Sequence, residues 1–164
     1  MVFKYILITI IIMNIYYKIE DVNSDHTFFY KPIVNKISHY IYFYKIIYNV
    51  GDLTLNSLLI NIKIKNVNVV KDNNMYKCTV IIDEDFINKL KEFEINILNK
   101  MQKTIDKQQV CSCYKYLTTV KHTFVFNKVP ENLFAYLRIS GIWESNHQIG
   151  ITSKMHIYPS TAKF

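Results

Sequence analysis

The chain has 164 residues, a formal net charge of +7 at pH 7 and a pI near 9.2. This length predicts one domain with a substantial core. Its three cysteines, Cys78, Cys111 and Cys113, exclude the even disulfide framework of a small secreted domain and favour a reducing, intracellular location.

The positive charge suits a polyanionic partner, because cations make most contacts to phosphate. All but one of the 20 basic residues are lysines, and Ile, Asn and Tyr are also abundant. That composition is typical of an AT-rich genome, which would enrich Lys without selection for binding. The charge therefore supports a nucleic-acid partner but leaves codon bias open.

The N-terminal segment Tyr5–Tyr17 is the only stretch that resembles a membrane-directed sequence. Lys4 precedes its apolar run, as in a signal peptide, but no small-residue cleavage site follows. The run is too short for a helix that spans a bilayer, which needs about 20 apolar residues. We expect a buried strand, followed by a polar loop over Asp21–Lys36, with a membrane anchor as the alternative.

Three further strands are predicted before the middle of the chain. Tyr40–Tyr48 is rich in β-branched and aromatic residues and is followed by turn residues. Leu59–Val70 alternates apolar residues with polar ones that include Lys63 and Lys65, so one face is buried and the other is wet and cationic. The alternation slips by one residue at Lys65, which predicts a β-bulge. Met75–Ile82 returns as the partner strand after a turn.

An amphipathic helix is predicted over Glu84–Thr104, with Asp83 or Asp85 as its N-cap. Apolar residues recur there at spacings of three and four, which predicts a stripe packed on a sheet. The stripe consists of Phe86, Leu90, Phe93, Ile97 and Met101. After the helix, we expect a loop over Gln102–Lys115 and a strand over Tyr116–Phe126.

The C-terminal segment Asn132–Tyr158 predicts an antiparallel hairpin, because two β-prone runs flank the polar turn Glu144–Gln148. It contains the only Trp and the only Arg of the chain. If no bulge interrupts the first strand at Gly141, Trp143 faces the core.

One face of this hairpin is the candidate nucleic-acid-binding surface. Arg138 lies between aromatic residues on its own face, and Lys154 and His156 alternate on the returning strand. In proteins that bind single strands, bases stack on aromatic rings while cations hold phosphates. The alternative is that the rings cover the sheet and Arg138 extends along it towards water. The candidate set is Lys63, Lys65, Phe134, Tyr136, Arg138, Lys154 and His156.

Catalytic motifs are absent from the sequence. It has no Gly-rich phosphate loop, no paired-His metal helix and no serine elbow. Cys111 and Cys113 with Cys78 and His122 lack the two well-spaced ligand pairs of a structural zinc site. We therefore expect a protein that is not an enzyme and has no cofactor and no metal.

The hairpin also carries a family resemblance. The segments Gly141-Ile-Trp-Glu144 and Ile149–Lys154, with Tyr158-Pro159, resemble the closing strands of small uncharacterised proteins of large DNA viruses. Those proteins are similar to the OB-fold single-stranded DNA-binding proteins of short-tailed phages. Such proteins often have an aromatic residue where this chain has Ser153, and they end in an acidic tail with a terminal aromatic, whereas residues 160–164 here are basic and end in Phe.

The resemblance and the order of elements together predict a mainly β, β-rich α+β domain. We expect an OB-like barrel or sandwich with one helix between its strands. Residues 1–164 form a single domain in this prediction: a strand and loop over 1–36, a barrel over 37–158 with its helix at 84–104, and a short tail over 159–164.

The expected function is non-catalytic binding of single-stranded nucleic acid, DNA preferred, in viral DNA replication, recombination or repair, in the cytoplasm or nucleus of an infected cell. Viral replication proteins are the expected protein partners, a membrane is not expected, and self-association is left open. The alternative is a viral structural or host-interaction protein on the same β-scaffold, with a membrane-associated N-terminus.

Overall fold

The computed structural model describes residues 15–34 and 41–160, with the backbone alone for residue 160. Two α-helices, α1 (Glu84–Gln102) and α2 (Ser112–Thr119), accompany twelve strands in this part of the chain. The strands are β1 Tyr16–Tyr17, β2 Thr27–Phe29, β3 Ile33–Val34, β4 Tyr42–Val50, β5 Leu53–Leu55, β6 Leu58–Asn61, β7 Ile64–Asp72, β8 Met75–Ile82, β9 Gln108–Val110, β10 His122–Phe126, β11 Asn132–Glu144 and β12 Gln148–Ser160.

Strand β11 is a central strand of the larger, nine-stranded sheet. It pairs along its length with β12 on one side, and on the other side with β6 and then β4, all antiparallel. The outer strands β1 and β9 run parallel to β6 and β12, and β2, β3 and β5 pair with β4. The second sheet has the order β10-β8-β7.

The mainly β class is confirmed, but the sheets do not close into a barrel. The physical reason lies at residues 62–63. The run predicted as a single strand over Leu59–Val70 is two strands, because the chain leaves the first sheet after β6 and joins the second sheet as β7. β7 therefore pairs with β8 and does not extend the first sheet.

Several local predictions are confirmed. The register of β7 on β8 shifts between Ile64 and Asn66, which places the predicted bulge at Lys65. β8 occupies the predicted range Met75–Ile82. The turn before it has Asn73 at φ 55°, a left-handed conformation that Asn tolerates better than most residues.

Helix α1 packs its apolar stripe into the core as predicted. Asp83 is the N-cap, and its side chain accepts a hydrogen bond from the Phe86 amide at 3.2 Å. The five stripe residues are all buried, and Leu90 and Ile97 are fully inaccessible to solvent. Large-to-small changes on this face are therefore expected to destabilise the fold.

Helix α2 corrects the prediction for the segment after α1. The expected loop over Gln102–Lys115 contains β9 and the first turn of α2, and only His122–Phe126 of the expected strand over Tyr116–Phe126 is extended. The tertiary contact that stabilises α2 is not visible in local sequence. Glu94 of α1 is fully buried and accepts hydrogen bonds from the amides of Cys113 and Tyr114 at 2.9 and 3.0 Å.

The N-terminal prediction is only partly covered by the structure. Most of the Tyr5–Tyr17 segment lies outside the described residues, and its last two residues form β1. The loop expected over Asp21–Lys36 contains the short strands β2 and β3 within its described part. Among the described residues, no helix is long and apolar enough to cross a membrane.

The β11–β12 hairpin is confirmed, but a bulge changes the side chains that follow it. The register shifts between Ile139 and Gly141, so Ile139 and Ile142 are both buried and Trp143 lies on the opposite face from Ile142. Trp143 pairs with Gly150, where a Cβ atom would lie 2.4 Å from the indole ring. The expectation that Trp143 faces the core, which required an uninterrupted strand, is therefore wrong.

Candidate nucleic-acid interface

The outer face of β11 and β12 brings together five of the seven candidate residues. In an antiparallel pair, residues directly opposite each other share a face. Arg138 lies opposite Lys154, and Tyr136 lies opposite His156. Phe134 is two residues before Tyr136 on the same strand and therefore lies on the same face. The intervening residues of β11, Ala135 and Leu137, are buried on the other face.

The aromatic side chains of this face form a continuous cluster, which we call the aromatic stripe. The rings of Tyr136 and His156 are stacked, with centroids 4.9 Å apart and planes at 11°. His156 and Tyr158 are also nearly parallel, at 6.5 Å and 10°. Tyr16 of β1 contacts the other end of the stripe, 5.1 Å from Phe134 and 5.0 Å from Tyr136. The stripe therefore consists of Tyr16, Phe134, Tyr136, His156 and Tyr158.

Two side chains of the aromatic stripe have pKa values that their surroundings shift. Burial, followed by the hydrogen bond with Tyr158, raises the pKa of Tyr136 to about 12. Burial, followed by the positive charges of Lys154 and Arg138, lowers the pKa of His156 below its ordinary value. Tyr136 is therefore neutral at pH 7, and His156 gains its charge only in acid.

Arg138 and Lys154, which we call the cation pair, are both exposed and lie directly across from each other. Neither makes an ion pair with a carboxylate in the part of the chain that the structure describes. Like charges directly opposite each other on a sheet destabilise it. A bound anion would remove that cost.

The remaining two candidates, Lys63 and Lys65, lie elsewhere. Lys63 follows β6 and forms an ion pair with Asp83 at 3.6 Å. Lys65 belongs to β7 in the second sheet and pairs with Glu84 at 3.4 Å. Lys63 is nevertheless near the aromatic stripe, because it lines the same cavity as Phe134.

That cavity has a volume of about 840 Å³ and lies where the chain passes from the first sheet to the second. Residues of three segments line it, and the set includes apolar, aromatic and cationic side chains but no acidic one. They are Tyr16, Lys18, Asn61, Ile62, Lys63, Ile64, Leu133, Phe134 and Ala135.

Three residues of this region are absent from the candidate set. Tyr158 alternates with His156 on the same strand, so its position on the stripe follows from the period-two pattern. Tyr16 and Lys18 join the site through the pairing of β1 with β6, at Tyr16 opposite Leu59. No local pattern in the sequence indicates that pairing.

Other polar groups of the structure serve the fold. Buried Glu144 accepts hydrogen bonds from Tyr44 and Lys107, both at 2.5 Å, and so ties β4 and the segment before β9 to β11. Burial and the hydrogen bond to Glu144 raise the pKa of Tyr44. The three cysteines are unpaired thiols, and within the described residues no cluster of His, Cys, Asp or Glu is arranged to hold a metal ion.

Comparison with known proteins identifies no relative. No protein-family model, no curated protein and no solved structure matches the chain. The resemblance of the hairpin to viral and phage proteins stays a prediction. The function has to be inferred from the chemistry of the sheet face.

Proposed function

We propose that this protein binds single-stranded nucleic acid, DNA preferred, on the outer face of β11 and β12, without catalysis. The observation that carries the proposal is the cation pair beside the aromatic stripe. A role in viral DNA replication, recombination or repair follows from the resemblance of the hairpin alone.

The cation pair supplies the phosphate contacts in this proposal. Five of the lysines make ion pairs with carboxylates: Lys63, Lys65, Lys77, Lys89 and Lys107. Arg138 and Lys154 are exposed and have no such partner among the described residues, so they bind phosphate without first breaking an ion pair. Phosphate oxygens also relieve the repulsion between the two cations.

The aromatic stripe supplies the base contacts. Tyr158 is 49% exposed, and Tyr136, His156 and Phe134 are partly exposed. Open sheet faces that present aromatic rings are an established way of stacking unpaired bases. Stacking is insensitive to base identity, because every base has a π-face. A duplex does not expose its base faces in this way, which favours single strands.

The experiment is a salt-titrated binding assay with an oligothymidylate and a duplex of equal length. We expect the single strand to bind more tightly than the duplex, and the logarithm of its affinity to fall linearly with the logarithm of the salt concentration. The matched control is Lys71→Ala, which removes an exposed lysine from β7 in the other sheet. Lys154→Ala should weaken binding and Lys71→Ala should not. Equal weakening by both would show that the net charge, and not this face, attracts the strand.

A second candidate function has its own observation. The short strands beside β4, and Tyr30 just after β2, carry exposed apolar side chains: Phe28, Tyr30, Ile33, Val34 and Leu53 are each at least 50% exposed. Exposed apolar side chains on neighbouring strands favour contact with another protein. A structural or host-interaction protein is therefore the alternative if the oligonucleotide assay shows no binding.

A further inference from the structure

The cavity beside Phe134 contains a polar atom without a partner. Asn61 lines the cavity, and its Oδ1 is buried with no hydrogen bond from any described residue. A buried amide oxygen that is left unsatisfied is costly, so native structures rarely keep one without a reason. A rotation of the Asn61 side chain that turns this oxygen into the cavity would let a ligand donate an N–H to it.

The walls of the cavity suit a flat aromatic ligand. Ile62, Ile64 and Leu133 are apolar, and Phe134 meets Tyr16 edge to face at 5.1 Å. The volume of about 840 Å³ falls within the range of roughly 300–1,000 Å³ that is typical of small-molecule sites. One nucleobase fits within this space together with part of its sugar.

The rim of the cavity is cationic. Lys18 and Lys63 line it, and the ammonium of Lys63 lies 3.6 Å from the Asp83 carboxylate while its side chain remains 66% exposed. A phosphate attached to a base in the cavity would contact Lys18, which makes no ion pair with a described carboxylate, more readily than Lys63, which is already paired with Asp83. The combination of apolar walls, an amide acceptor and cations at the rim matches a nucleotide.

We propose that this cavity binds one unstacked base of the bound strand and that Asn61 selects a base with an amine at C4 of a pyrimidine or C6 of a purine, which is cytosine or adenine. Phe134 belongs to both the aromatic stripe and the cavity wall, so a strand stacked along the stripe reaches the cavity directly. Cytosine and adenine present an amine donor where thymine and guanine present a carbonyl acceptor. The Asn61 oxygen accepts from the amine and repels the carbonyl. This inference rests on the proposed function, because the strand brings the base to the site.

The test compares an oligothymidylate of about 12 nucleotides, a length within the site sizes of single-strand binders, with the same strand carrying one central cytosine. The net value of one hydrogen bond predicts that the cytosine strengthens binding about 3- to 10-fold. Asn61→Ala should abolish this preference, and Asn61→Asp, which keeps an acceptor oxygen, should retain it at lower total affinity. Asn68→Ala, an exposed position on β7, is the matched control and should keep the full preference.

A second measurement separates this inference from the proposed function. Free dCMP and dTMP are titrated while the NMR signals of the Asn61 side-chain amide and the Ile62 and Ile64 methyl groups are followed. dCMP should shift these signals more than dTMP does. Strands that bind equally well with and without the cytosine, in the wild type and in Asn61→Ala, would overturn the base-selective cavity and leave the binding face standing. Signals that respond to dCMP without any strand binding would support the cavity and overturn the proposed function. If no strand binds and dCMP shifts none of these signals, both the cavity and the proposed function are overturned.

Discussion

Two groups of cations in this protein have different surroundings. Around α1, three lysines make ion pairs with nearby carboxylates: Lys63 with Asp83, Lys65 with Glu84, and Lys89 with Glu20 and Asp85. On the outer face of β11 and β12, Arg138 and Lys154 face each other with no carboxylate partner among the described residues. A net charge of +7 counts both groups equally. Only their surroundings distinguish cations that are already neutralised from cations that are available to a ligand.

The regions around the two groups of cations also contribute differently to stability and to binding. Exposed ion pairs like those around α1 contribute about 0–1 kcal/mol each to stability, so the fold depends chiefly on the apolar stripe of that helix. The β11–β12 face instead carries a repulsive pair, which costs stability unless a ligand binds it, beside rings that are only partly buried. Changes to the α1 stripe should therefore alter stability most, and changes to the β11–β12 face should alter binding most.

Leu90→Ala should have the largest effect, and it should be on stability. Leu90 is fully buried in α1, so its truncation should lower the free energy of unfolding by about 2–5 kcal/mol. Denaturant titration measures the loss. The control is Lys91→Ala on the same helix, where the ammonium lies 4.6 Å from the Tyr114 ring centroid and about 0.5–1 kcal/mol is expected. Equal small losses from both variants would contradict a core role for the stripe.

Tyr136→Ala should have the next largest effect, and it should be on binding. Loss of one stacking platform weakens binding of a single strand by about 1–3 kcal/mol. The salt dependence should stay unchanged, because stacking releases no counterions. A fluorescence titration at several salt concentrations measures both quantities. Unchanged affinity in a folded variant would mean that the stripe only covers the sheet.

Arg138→Ala should weaken binding and also reduce its salt dependence. Removal of one phosphate contact lowers the slope of log affinity against log salt by about 0.7–1. Lys65→Ala removes the same charge from the group around α1, where Glu84 already neutralises it. The slope of log affinity against log salt should change less in Lys65→Ala than in Arg138→Ala. Equal changes in slope for the two variants would show that ion pairing does not decide which cations bind the strand.

The smallest expected effect concerns pH and His156. Burial and the two neighbouring cations hold its pKa in the folded protein below the ordinary value of 6.5. The unfolded chain then binds more protons than the folded chain below about pH 6.5, so this residue makes the protein less stable as the pH falls. A bound strand should instead favour the charged form of His156, because its phosphates attract the protonated imidazole. Affinity should therefore rise modestly between pH 7 and pH 5, and His156→Gln should remove this rise in the same titration.

Much of the fold could be predicted because its signals are local. The alternation of β8, the stripe of α1 and its Asp83 cap each depend on residues close in sequence. The bulge at Lys65 also appears directly as a slip in the alternation. The bulge at Ser140 gives no comparable signal, because small and apolar residues follow it on both faces. It reverses the face on which Trp143 lies.

The parts that could not be predicted depend on distant residues. α2 begins where Glu94 accepts two backbone hydrogen bonds from a segment about 20 positions later in the chain. The break between β6 and β7 depends on which sheet each half joins. At the candidate site, the period-two pattern places Tyr136, Arg138, Lys154 and His156 on one face. It does not reveal that Tyr16 packs on that face or that Lys65 belongs to another sheet.

The proposed binding surface for the strand is the outer face of β11 and β12. Photocrosslinking of the full chain to an oligonucleotide that contains 5-iodouracil tests it most directly, because the crosslink marks the aromatic side chains that contact the bases. We predict crosslinked peptides from 132–160, with the modification on Phe134, Tyr136, His156 or Tyr158. Crosslinks confined to β7, α1 or the short strands beside β4 would contradict the account.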